Sequence, residues 1–328
     1  MLFSFFKRKQ KVKLPVNLHS IAFYNLENLF DTAFDDHTLD VAFTPNGEMG
    51  WSPKRYQQKL AKLARTISEI GFDKANDTPV LIGVAEVENK KVIQDLLATR
   101  PLHKSSYAYV HYDSPDERGI DAALIYHKAY FEVLHSEPIA LIVDSPNGIR
   151  DTTRDILYVS GKLNGEHLHL FVNHWPSRRE GVLETEHKRI KAAETLKSFI
   201  ADIEAEHPDS NYIIMGDFND NPDSTSMQSL MQMSNLYNPS EQLRSPKRGT
   251  ANYRKEWNMF DQIIFSHNFL NYEKGTHSFT EANIFDRSFL TEPRGKYKGM
   301  PFRTFAGSKY LGGYSDHFPV YIQLKYNE

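Results

Sequence analysis

The stretch YIIMGDFNDNP, residues 212–222, indicates how this chain is built. An apolar run that ends abruptly in Gly, Asp, Asn and Pro is typical of a buried strand that delivers polar side chains at its C-terminal end. Asp217 and Asn219 are therefore candidate site residues. The alternative is a simple turn after a strand, because Asn and Asp side chains readily bond their own backbone.

Other apolar runs extend this pattern along the chain. Asn164-Gly165 is typical of a type I′ hairpin between two of them, so the middle of the chain is expected to be largely antiparallel. One run places Asp261 in its middle, where a charge needs a bonded partner. Strands are predicted at residues 21–25, 80–85, 122–126, 139–143, 156–163, 168–173 and 258–266, with a last one after residue 317.

Two amphipathic patterns predict helices that pack on a sheet. The first begins after Ser52, the expected N-cap, and ends at Gly71. The second covers residues 185–204 and is expected to turn its cations, Arg189 among them, away from the apolar face. Helices placed between apolar strands indicate an α/β protein.

Length and composition describe an ordinary globular chain. With 328 residues, of which 40% are hydrophobic and 12% aromatic, it can bury a full core. The net charge of −3 excludes a polycationic nucleic-acid binder, although residues 244–309 carry twelve Lys and Arg against six Asp and Glu. Because cysteine is absent, disulfides, thiol nucleophiles and cysteine-ligated zinc are excluded. Metal binding falls to His, carboxylate and amide groups.

Residues 1–17 are expected to form a flexible arm before one domain over residues 18–328. The apolar residues of the arm precede its basic ones, the reverse of a secretory signal, and no apolar run reaches the roughly 18 residues of a membrane span. We expect a cytoplasmic protein without a transmembrane segment, and a monomer. Peripheral membrane contact through the arm is the alternative.

Polar side chains recur at the ends of the predicted strands. If these strands share one core, their ends meet in one cleft. Glu86 needs a partner after its buried run, for which a salt bridge is one interpretation and a metal ion the other. The candidates outside residues 212–222 are Asn25, Glu86, His174, Asp261, Asp316 and His317.

The run HWPSRR, residues 174–179, brings an imidazole, a hydroxyl and two guanidinium groups together just past a strand. Because Arg presents a fork that matches phosphate, an anionic substrate is the natural partner of Arg178 and Arg179. An exposed loop around a packed Trp175 is the competing interpretation.

These residue types together indicate phosphate ester hydrolysis. Carboxylates and amides without thiols suit a hard cation such as Mg²⁺, with Mn²⁺ as a substitute, because such an ion keeps waters for a phosphate substrate. The metal would neutralise the ester, a carboxylate would activate water, and a histidine would stabilise the charge on phosphorus.

An ordered set of motifs carries a resemblance to a known superfamily. The set is Asn25, Glu86 at its strand end, Gly216-Asp217-Phe218-Asn219, Asp261 and Ser315-Asp316-His317. In this order it resembles the endonuclease/exonuclease/phosphatase superfamily, the fold of deoxyribonuclease I, over roughly residues 18–324. The resemblance implies an α/β four-layered sandwich, in which two packed mixed β-sheets are flanked by helices.

The resemblance also implies a metal site. Glu86 would bind the divalent ion, and Asn25 and Asp316 would lie close to it. Asn25 would contact the substrate as well.

Catalytic roles follow from the same resemblance. Asp217 would orient or deprotonate the attacking water, helped by Asn219. His317, held by Asp261, would contact the scissile phosphate, and His174 would be the second phosphate-binding or acid/base histidine.

Two positions bear on the subfamily. Abasic-site endonucleases resemble this chain but carry an amide at the place of His174, so the sequence is nearer to deoxyribonuclease I and sphingomyelinase. The residues around Asp261 depart from the motif of inositol polyphosphate phosphatases, so inositide hydrolysis is not expected.

Three hypotheses follow. The leading one is a Mg²⁺-dependent phosphodiesterase, a nuclease that acts on nucleic acid and leaves a 5′-phosphate. The second is a phosphodiesterase or phosphatase for a lipid headgroup, as in sphingomyelinase, or for a small phosphorylated metabolite, which the negative net charge favours. The third is a noncatalytic binding module on the same fold, against which the full set of site residues argues.

Overall fold

The computed structural model describes residues 17–328 apart from Ser145, Pro146, Asn147, Ile149 and Ser234. Except for Asn17, the predicted N-terminal arm lies outside the described residues. The strands, in chain order, are β1 (Leu18–Leu29), β2 (Leu81–Val87), β3 (Tyr107–His111), β4 (Asp121–His127), β5 (Phe131–Ile139), β6 (Ile142–Asp144), β7 (Arg150–Thr152), β8 (Ile156–Leu163), β9 (Glu166–His174), β10 (Tyr212–Asp217), β11 (Leu236–Tyr237), β12 (Ala251–Tyr253), β13 (Glu256–Asn258), β14 (Asp261–Ser266), β15 (His277–Ile284), β16 (Phe305–Ala306), β17 (Lys309–Tyr310) and β18 (Val320–Tyr326). The helices are α1 (Pro53–Glu69), α2 (Phe72–Ala75), α3 (Lys90–Ala98), α4 (Glu186–Glu206), α5 (Thr225–Leu230) and α6 (Ser240–Leu243), with 3₁₀ turns at Val41–Phe43, Leu102–Lys104, His267–Leu270 and Ser288–Leu290.

Two six-stranded mixed sheets dominate the described residues. The first has the strand order β15-β18-β1-β2-β4-β3, and the second has the order β11-β14-β10-β9-β8-β5. Each sheet has one parallel pair at its middle, β1 with β2 and β9 with β10. A long crossover joins the strands of each parallel pair, as parallel pairing requires, and contains α1 in the first sheet and α4 in the second. The predicted antiparallel middle of the chain is confirmed by the pairs β3–β4, β5–β8 and β8–β9.

The two sheets share one core, and the helices cover it from outside. Phe23 of the first sheet and Leu170 of the second are fully buried in the same cluster, which also takes Leu63 from α1. A second cluster joins the other face of the second sheet to α4, through side chains such as Leu196. The predicted four-layered α/β sandwich is therefore confirmed.

The first predicted helix has the ends that its sequence indicates. The Ser52 hydroxyl accepts a hydrogen bond from the Arg55 backbone N–H at 3.4 Å, and Pro53 occupies the first turn. Gly71 lies just past the helix with φ of +67°, a left-handed conformation that glycine adopts without strain. None of the helices in the described part of the chain combines the length and apolarity that a membrane crossing needs.

The prediction of one strand over residues 139–143 is wrong. Ile139 ends β5 and pairs with Ile156 of β8, whereas Ile142 starts β6, which belongs to a separate two-stranded sheet. Leu141 and Val143 are buried against the α4 side of the second sheet. An apolar run predicts burial but not the strand with which each residue pairs, because two different partners can cover the same run.

The predicted strand 258–266 is broken before Asp261. Asn258 ends β13, and Asp261 is the first residue of β14 rather than the middle of a strand. Between them, the Met259 backbone N–H donates to Asn221 Oδ1 at 2.8 Å, and the Phe260 carbonyl accepts from the Phe218 N–H. These bonds to the loop after β10 replace the ladder that a continuous strand would need.

Arg189 does not lie on the solvated face of α4, as the sequence pattern predicted. Its side chain is fully buried, with Nη1 bonded to the Thr185 hydroxyl at 2.7 Å and Nε 2.9 Å from Asp220 Oδ2. The buried Asp220 carboxylate supplies the opposite charge that a buried guanidinium needs, so helical periodicity alone misplaced this residue.

Candidate active site

The candidate residues meet at the C-terminal ends of the two parallel strand pairs. In the second sheet, Asp217 at the end of β10 pairs with His174 at the end of β9 and, on its other side, with Asp261 of β14. In the first sheet, Asn25 of β1 pairs with the residue that precedes Glu86 in β2. Strand register therefore places three of these side chains side by side, and sheet packing brings the other two to them.

Gly216 allows β9 and β10 to approach closely just before the site. A Cβ at this position would lie 2.4 Å from the Asn173 carbonyl oxygen. The glycine of the Gly216-Asp217 motif is therefore required by packing, and it fixes the height at which Asp217 leaves the sheet.

Glu86 lies on a bulge. Its φ is +62°, and the register of β2 shifts at this residue against both neighbouring strands. Glu27 and Asn28 of β1, on the facing irregularity, also have positive φ values of +52° and +50°. The Asn28 backbone N–H donates to Glu86 Oε2 at 2.7 Å. Bulges redirect side chains, and left-handed non-glycine residues concentrate at functional sites, so this local strain aims the Glu86 carboxylate at the cleft.

Asn25 joins the two sheets at the centre of the site. Its Nδ2 donates to Glu86 Oε1 at 3.3 Å and to Asp217 Oδ2 at 3.0 Å. Its amide oxygen accepts from the Glu27 backbone N–H at 2.9 Å. Asn25 thus presents its nitrogen to the centre and orients two carboxylates that belong to different sheets.

Asp217 is a buried carboxylate with a proton affinity suited to neutral pH. Its Oδ1 accepts from the Asn219 backbone N–H at 2.9 Å, and the Asn219 side chain donates to the Trp175 carbonyl at 3.0 Å. Burial raises the pKa of Asp217 to about 6, although the neighbouring His317 acts in the opposite direction. The turn that Asn219 forms, which the sequence offered as a structural alternative, is itself part of the site.

His317 and Asp261 form a hydrogen-bonded pair beside Asp217. Asp261 Oδ2 lies 2.7 Å from His317 Nδ1, and His317 Nε2 lies 3.9 Å from Asp217 Oδ2. Burial alone would lower the pKa of His317, but the Asp261 and Asp217 carboxylates raise it well above its usual value. The ring is therefore cationic at pH 7, and the charge of Asp261 at the strand start has its partner.

His174 differs from His317 in its charge. Its Nε2 lies 3.8 Å from Glu86 Oε1 and 3.9 Å from Asp217 Oδ2. Burial, reinforced by the guanidinium groups of Arg154 and Arg118, lowers the pKa of His174 well below its usual value, so the ring is neutral at pH 7. The site therefore holds one neutral and one cationic imidazole.

Two of the predicted site residues, Asp316 and Arg178, are engaged by other protein groups. Asp316 accepts from Arg303 Nη2 at 2.9 Å. Arg178 donates to the Asn219 carbonyl and to the Asp220 carboxylate, so its guanidinium joins two loops of the protein. Arg179 is exposed. Trp175 is fully buried, as the alternative interpretation of this run expected, yet the loop around it belongs to the site.

The donor set fits a hard divalent cation. Glu86 and Asp217 converge on the same Asn25 amide and the same His174 ring, and carboxylate oxygens are the ligands that Mg²⁺ prefers. Within the described residues Glu86 forms no ion pair with Lys or Arg, so the salt-bridge interpretation is not supported. Asp217, Asp261 and His317 form another group of possible ligand atoms. Two of its members already bond each other, because Asp261 Oδ2 lies 2.7 Å from His317 Nδ1.

Two contributors escaped the sequence analysis. Ser315 donates to the Asn25 carbonyl at 2.7 Å and accepts from the His317 backbone N–H at 3.1 Å, which fixes the last loop on β1. Its place in the Ser315-Asp316-His317 motif was a usable signal. Arg154 donates to the Trp175 carbonyl at 2.8 Å, directly after His174, and no local pattern marks it.

Comparison with known proteins agrees with this architecture. A family model described as the endonuclease/exonuclease/phosphatase family matches residues 20–326. Comparison with curated proteins finds no match.

Solved structures share the fold at low sequence identity. A mannosyl-6-phosphatase from Bacteroides thetaiotaomicron is 16% identical, with a TM-score of 0.59, and the match covers 93% of this chain and 99% of that chain. An endonuclease/exonuclease/phosphatase family protein from the same organism is 17% identical, with a TM-score of 0.57 and coverage of 95% and 98%. TDP2 from D. rerio, complexed with a single-strand DNA product, is 17% identical, with a TM-score of 0.55 and coverage of 94% and 98%.

Proposed function

Because the chain belongs to the endonuclease/exonuclease/phosphatase family, we propose that it is a divalent-metal-dependent phosphoester hydrolase, and specifically a phosphodiesterase of the nuclease type. The observation that carries the proposal is the convergence of Glu86, Asp217 and His174 around one Asn25 amide, with the His317–Asp261 pair beside them. A noncatalytic module would have no use for this arrangement of buried charge.

Asp217 is the proposed general base. Its two carboxylate oxygens are held separately, one by the Asn219 backbone N–H and the other by the Asn25 amide. A carboxylate whose pKa is about 6 can accept a proton from water near neutral pH without remaining protonated itself. The two hydrogen bonds keep the carboxylate oriented while the proton moves.

The two histidines are proposed to act on the phosphate in different ways. The cationic His317, oriented by Asp261, stabilises the negative charge that builds on the phosphoryl oxygens. The neutral His174 offers a hydrogen bond to the phosphate, since its ring is close to both Glu86 and Asp217. Charge stabilisation and hydrogen bonding are thus divided between the two histidines.

Glu86 is the proposed main metal ligand. Its carboxylate is aimed into the cleft by the bulge and by the Asn28 N–H. Mg²⁺ or Mn²⁺ bound there would supply Lewis-acid neutralisation of the phosphate. Asp316 is the residue through which the final loop would support the ion, whereas Asn25 orients the carboxylates through its nitrogen.

Nucleic acid is the first proposed substrate, and a small phosphorylated metabolite or lipid headgroup is the second. TDP2, which shares the fold, has a structure with a single-strand DNA product, and this supports the first. The small metabolite or lipid headgroup is favoured by the state of the basic segment 244–309. Several arginines of this segment are paired with carboxylates, which makes them unavailable for nonspecific contacts to nucleic-acid phosphates. The pairs are Arg244–Asp223, Arg248–Asp286, Arg287–Asp73 and Arg303–Asp316.

A substrate panel tests the proposal. Purified protein with Mg²⁺ is offered single- and double-stranded DNA, RNA, bis-p-nitrophenyl phosphate, a sphingomyelin analogue and sugar phosphates. We expect hydrolysis of the diester and of at least one nucleic acid. Turnover of a lipid or sugar phosphate with failure on both nucleic acids selects the second substrate class. Failure on the whole panel, with a folded protein, contradicts the enzyme proposal.

The cytoplasmic location, the monomeric state and the single domain expected from the sequence stay predictions.

A further inference from the structure

A cavity of about 220 Å³ is lined in part by the loop that follows His174 and Trp175. Pro176 and Ser177, which directly follow the buried Trp175, form part of its wall. Thr153 and Arg154, from the segment between β7 and β8, also line the cavity. The cavity is therefore contiguous with the loop that carries His174, but the catalytic proposal does not use it.

Two residues that line the cavity carry buried polar groups without a partner among the described residues. Arg154 is only 5% exposed, and it donates from Nη1 to Asp116 at 3.0 Å and from Nη2 to the Trp175 carbonyl at 2.8 Å. In the described part of the chain, Arg154 Nε and the buried Thr153 hydroxyl have no hydrogen-bond partner. Buried polar groups are almost always bonded, so these two indicate a ligand or ordered water.

Positive charge exceeds negative charge on the inner wall. Asp116 faces two guanidinium groups, Arg154 at 3.0 Å and Arg118 at 3.6 Å, and one carboxylate cannot neutralise both. Arg179 lines the rim and is exposed. The two other carboxylates of the lining, Glu117 and Glu180, are exposed, and Glu180 lies 3.7 Å from Lys188. The inner wall thus offers a fixed pair of guanidinium groups and a hydroxyl, which suit a phosphate.

We propose that this cavity binds a second phosphate of the substrate, one that is not cleaved, while the scissile phosphate lies among His174, Asp217 and His317. Arg154 and Arg118 supply the charge, Thr153 supplies a hydroxyl donor, and Arg179 closes the rim. The inference rests on the proposed hydrolase function. It predicts a substrate with two phosphates, such as a nucleotide strand or a sugar bisphosphate, and it explains the buried Arg154 next to a histidine.

Matched substrate pairs test the second phosphate. One pair is p-nitrophenyl thymidine 5′-phosphate with and without a 3′-phosphate, and the other is glucose 1,6-bisphosphate against glucose 6-phosphate. For the pair of the correct class, we expect kcat/KM to be at least about tenfold higher for the two-phosphate compound. Arg118→Gln should remove most of this preference, whereas Arg287→Gln, on an exposed arginine paired with Asp73, should retain it. Equal use of both members by the unmodified protein, or an unchanged preference in Arg118→Gln, overturns the inference.

Binding of inorganic phosphate separates this inference from the hydrolase proposal. Calorimetric titration in EDTA requires no turnover, so its outcome stands even if every substrate fails. We expect Arg118→Gln and Thr153→Val to weaken phosphate binding by at least about fivefold, because each removes a donor to the anion. Arg287→Gln again serves as the control. Phosphate binding that is unchanged in both cavity variants, or absent from the unmodified protein, contradicts the second-phosphate site.

Discussion

Asp217 shows how position changes the chemistry of an ordinary residue. Its carboxylate is buried between two sheets, and this burial raises its pKa to about 6. A few ångströms away, His317 becomes more basic because two carboxylates face it, whereas His174 becomes less basic because it is buried near two guanidinium groups. Environments that separate the proton affinities of neighbouring groups are typical of acid/base catalysts.

Loss of the base or of the cationic histidine is expected to stop the reaction without unfolding the protein. Asp217→Asn and His317→Ala should each lower kcat by about 100-fold or more, because one removes the proton acceptor and the other the charge on the phosphate. Circular dichroism and steady-state kinetics measure both properties. The matched controls Asp209→Asn and His267→Ala change exposed residues and should retain the rate. Near-normal activity of either site variant would refute its assigned role.

Glu86 is expected to govern the metal requirement. EDTA should abolish hydrolysis, and added Mg²⁺ or Mn²⁺ should restore it. Glu86→Gln should raise the Mg²⁺ concentration for half-maximal rate by about tenfold or more, since an amide oxygen is a weaker ligand than a carboxylate. Metal titrations of activity measure this shift, with the half-exposed Glu69→Gln as control. An unchanged Mg²⁺ dependence in Glu86→Gln would place the metal elsewhere.

At the scale of elements, the site depends on the joining of the loops that follow β9 and β10. Arg178 from the first loop reaches the Asn219 carbonyl and the Asp220 carboxylate of the second. Asp220 also pairs with Arg189 of α4 and accepts from Ser226 of α5 at 2.5 Å. This buried network fixes the loops relative to the helices that cover the second sheet, and so positions Asn219 under Asp217.

Arg178 is therefore expected to act on loop structure more than on substrate affinity. Arg178→Ala should lower the free energy of unfolding by about 1–3 kcal/mol, because it leaves the buried Asp220 short of a partner. It should also reduce kcat by about tenfold as Asn219 loses its anchor. Urea denaturation and steady-state kinetics measure these effects. Arg179→Ala, at the exposed neighbour, should leave stability within about 0.5 kcal/mol.

The kinetics of Arg178→Ala distinguish a structural role of Arg178 in the loops from a direct contact with the substrate. A raised KM with unchanged kcat and stability in Arg178→Ala would mean that the guanidinium contacts the substrate, as the sequence pattern alone suggests.

At the scale of the whole molecule, a second polar cluster joins the two sheets at the end remote from the site. Asn164, in the hairpin of the second sheet, lies 2.9 Å from His19 Nε2 and 3.1 Å from His277 Nε2, both in the first sheet. Glu166 of β9 accepts from the His277 backbone N–H at 2.8 Å. Asn25 and this cluster therefore connect the sheets at their two ends, with the shared apolar core between them.

This remote cluster is expected to make stability depend on pH. Burial, with a contribution from His277, lowers the pKa of His19 to about 4. The unfolded chain binds a proton at His19 from pH 6.5 downward, whereas the folded chain resists it until pH 4. The stabilisation is full above pH 6.5 and is lost as pH falls from 6.5 to 4. The loss of unfolding free energy amounts to about 2 kcal/mol at pH 5.

Urea unfolding at pH 7 and at pH 5 measures this effect. His19→Gln should show a smaller loss of unfolding free energy between the two values than the unmodified protein. His135→Gln, whose imidazole is 60% exposed, should behave like the unmodified protein. An identical pH dependence in His19→Gln would show that His19 does not carry it.

Much of this protein follows from its sequence. The strand ends near Glu86, His174 and Asp217 were predictable, because an apolar run that stops at a polar residue is a local signal. The predicted end at Asn25 was wrong, because β1 continues through an irregularity to Leu29. The caps of α1 and the hairpin at Asn164 were predictable for the same reason. The residue types at these ends already indicated a hard metal and a phosphate substrate.

Tertiary structure decided how those residues are used. No local pattern could show that Asn25 bonds carboxylates of both sheets, that Arg178 and Arg189 converge on Asp220, or that Arg154 is buried between Asp116 and the Trp175 carbonyl. The division of residues 139–143 between two strands has the same origin. A sequence pattern reports burial and hydrogen-bonding capacity, but the partner of each group is chosen by packing between segments far apart in the chain.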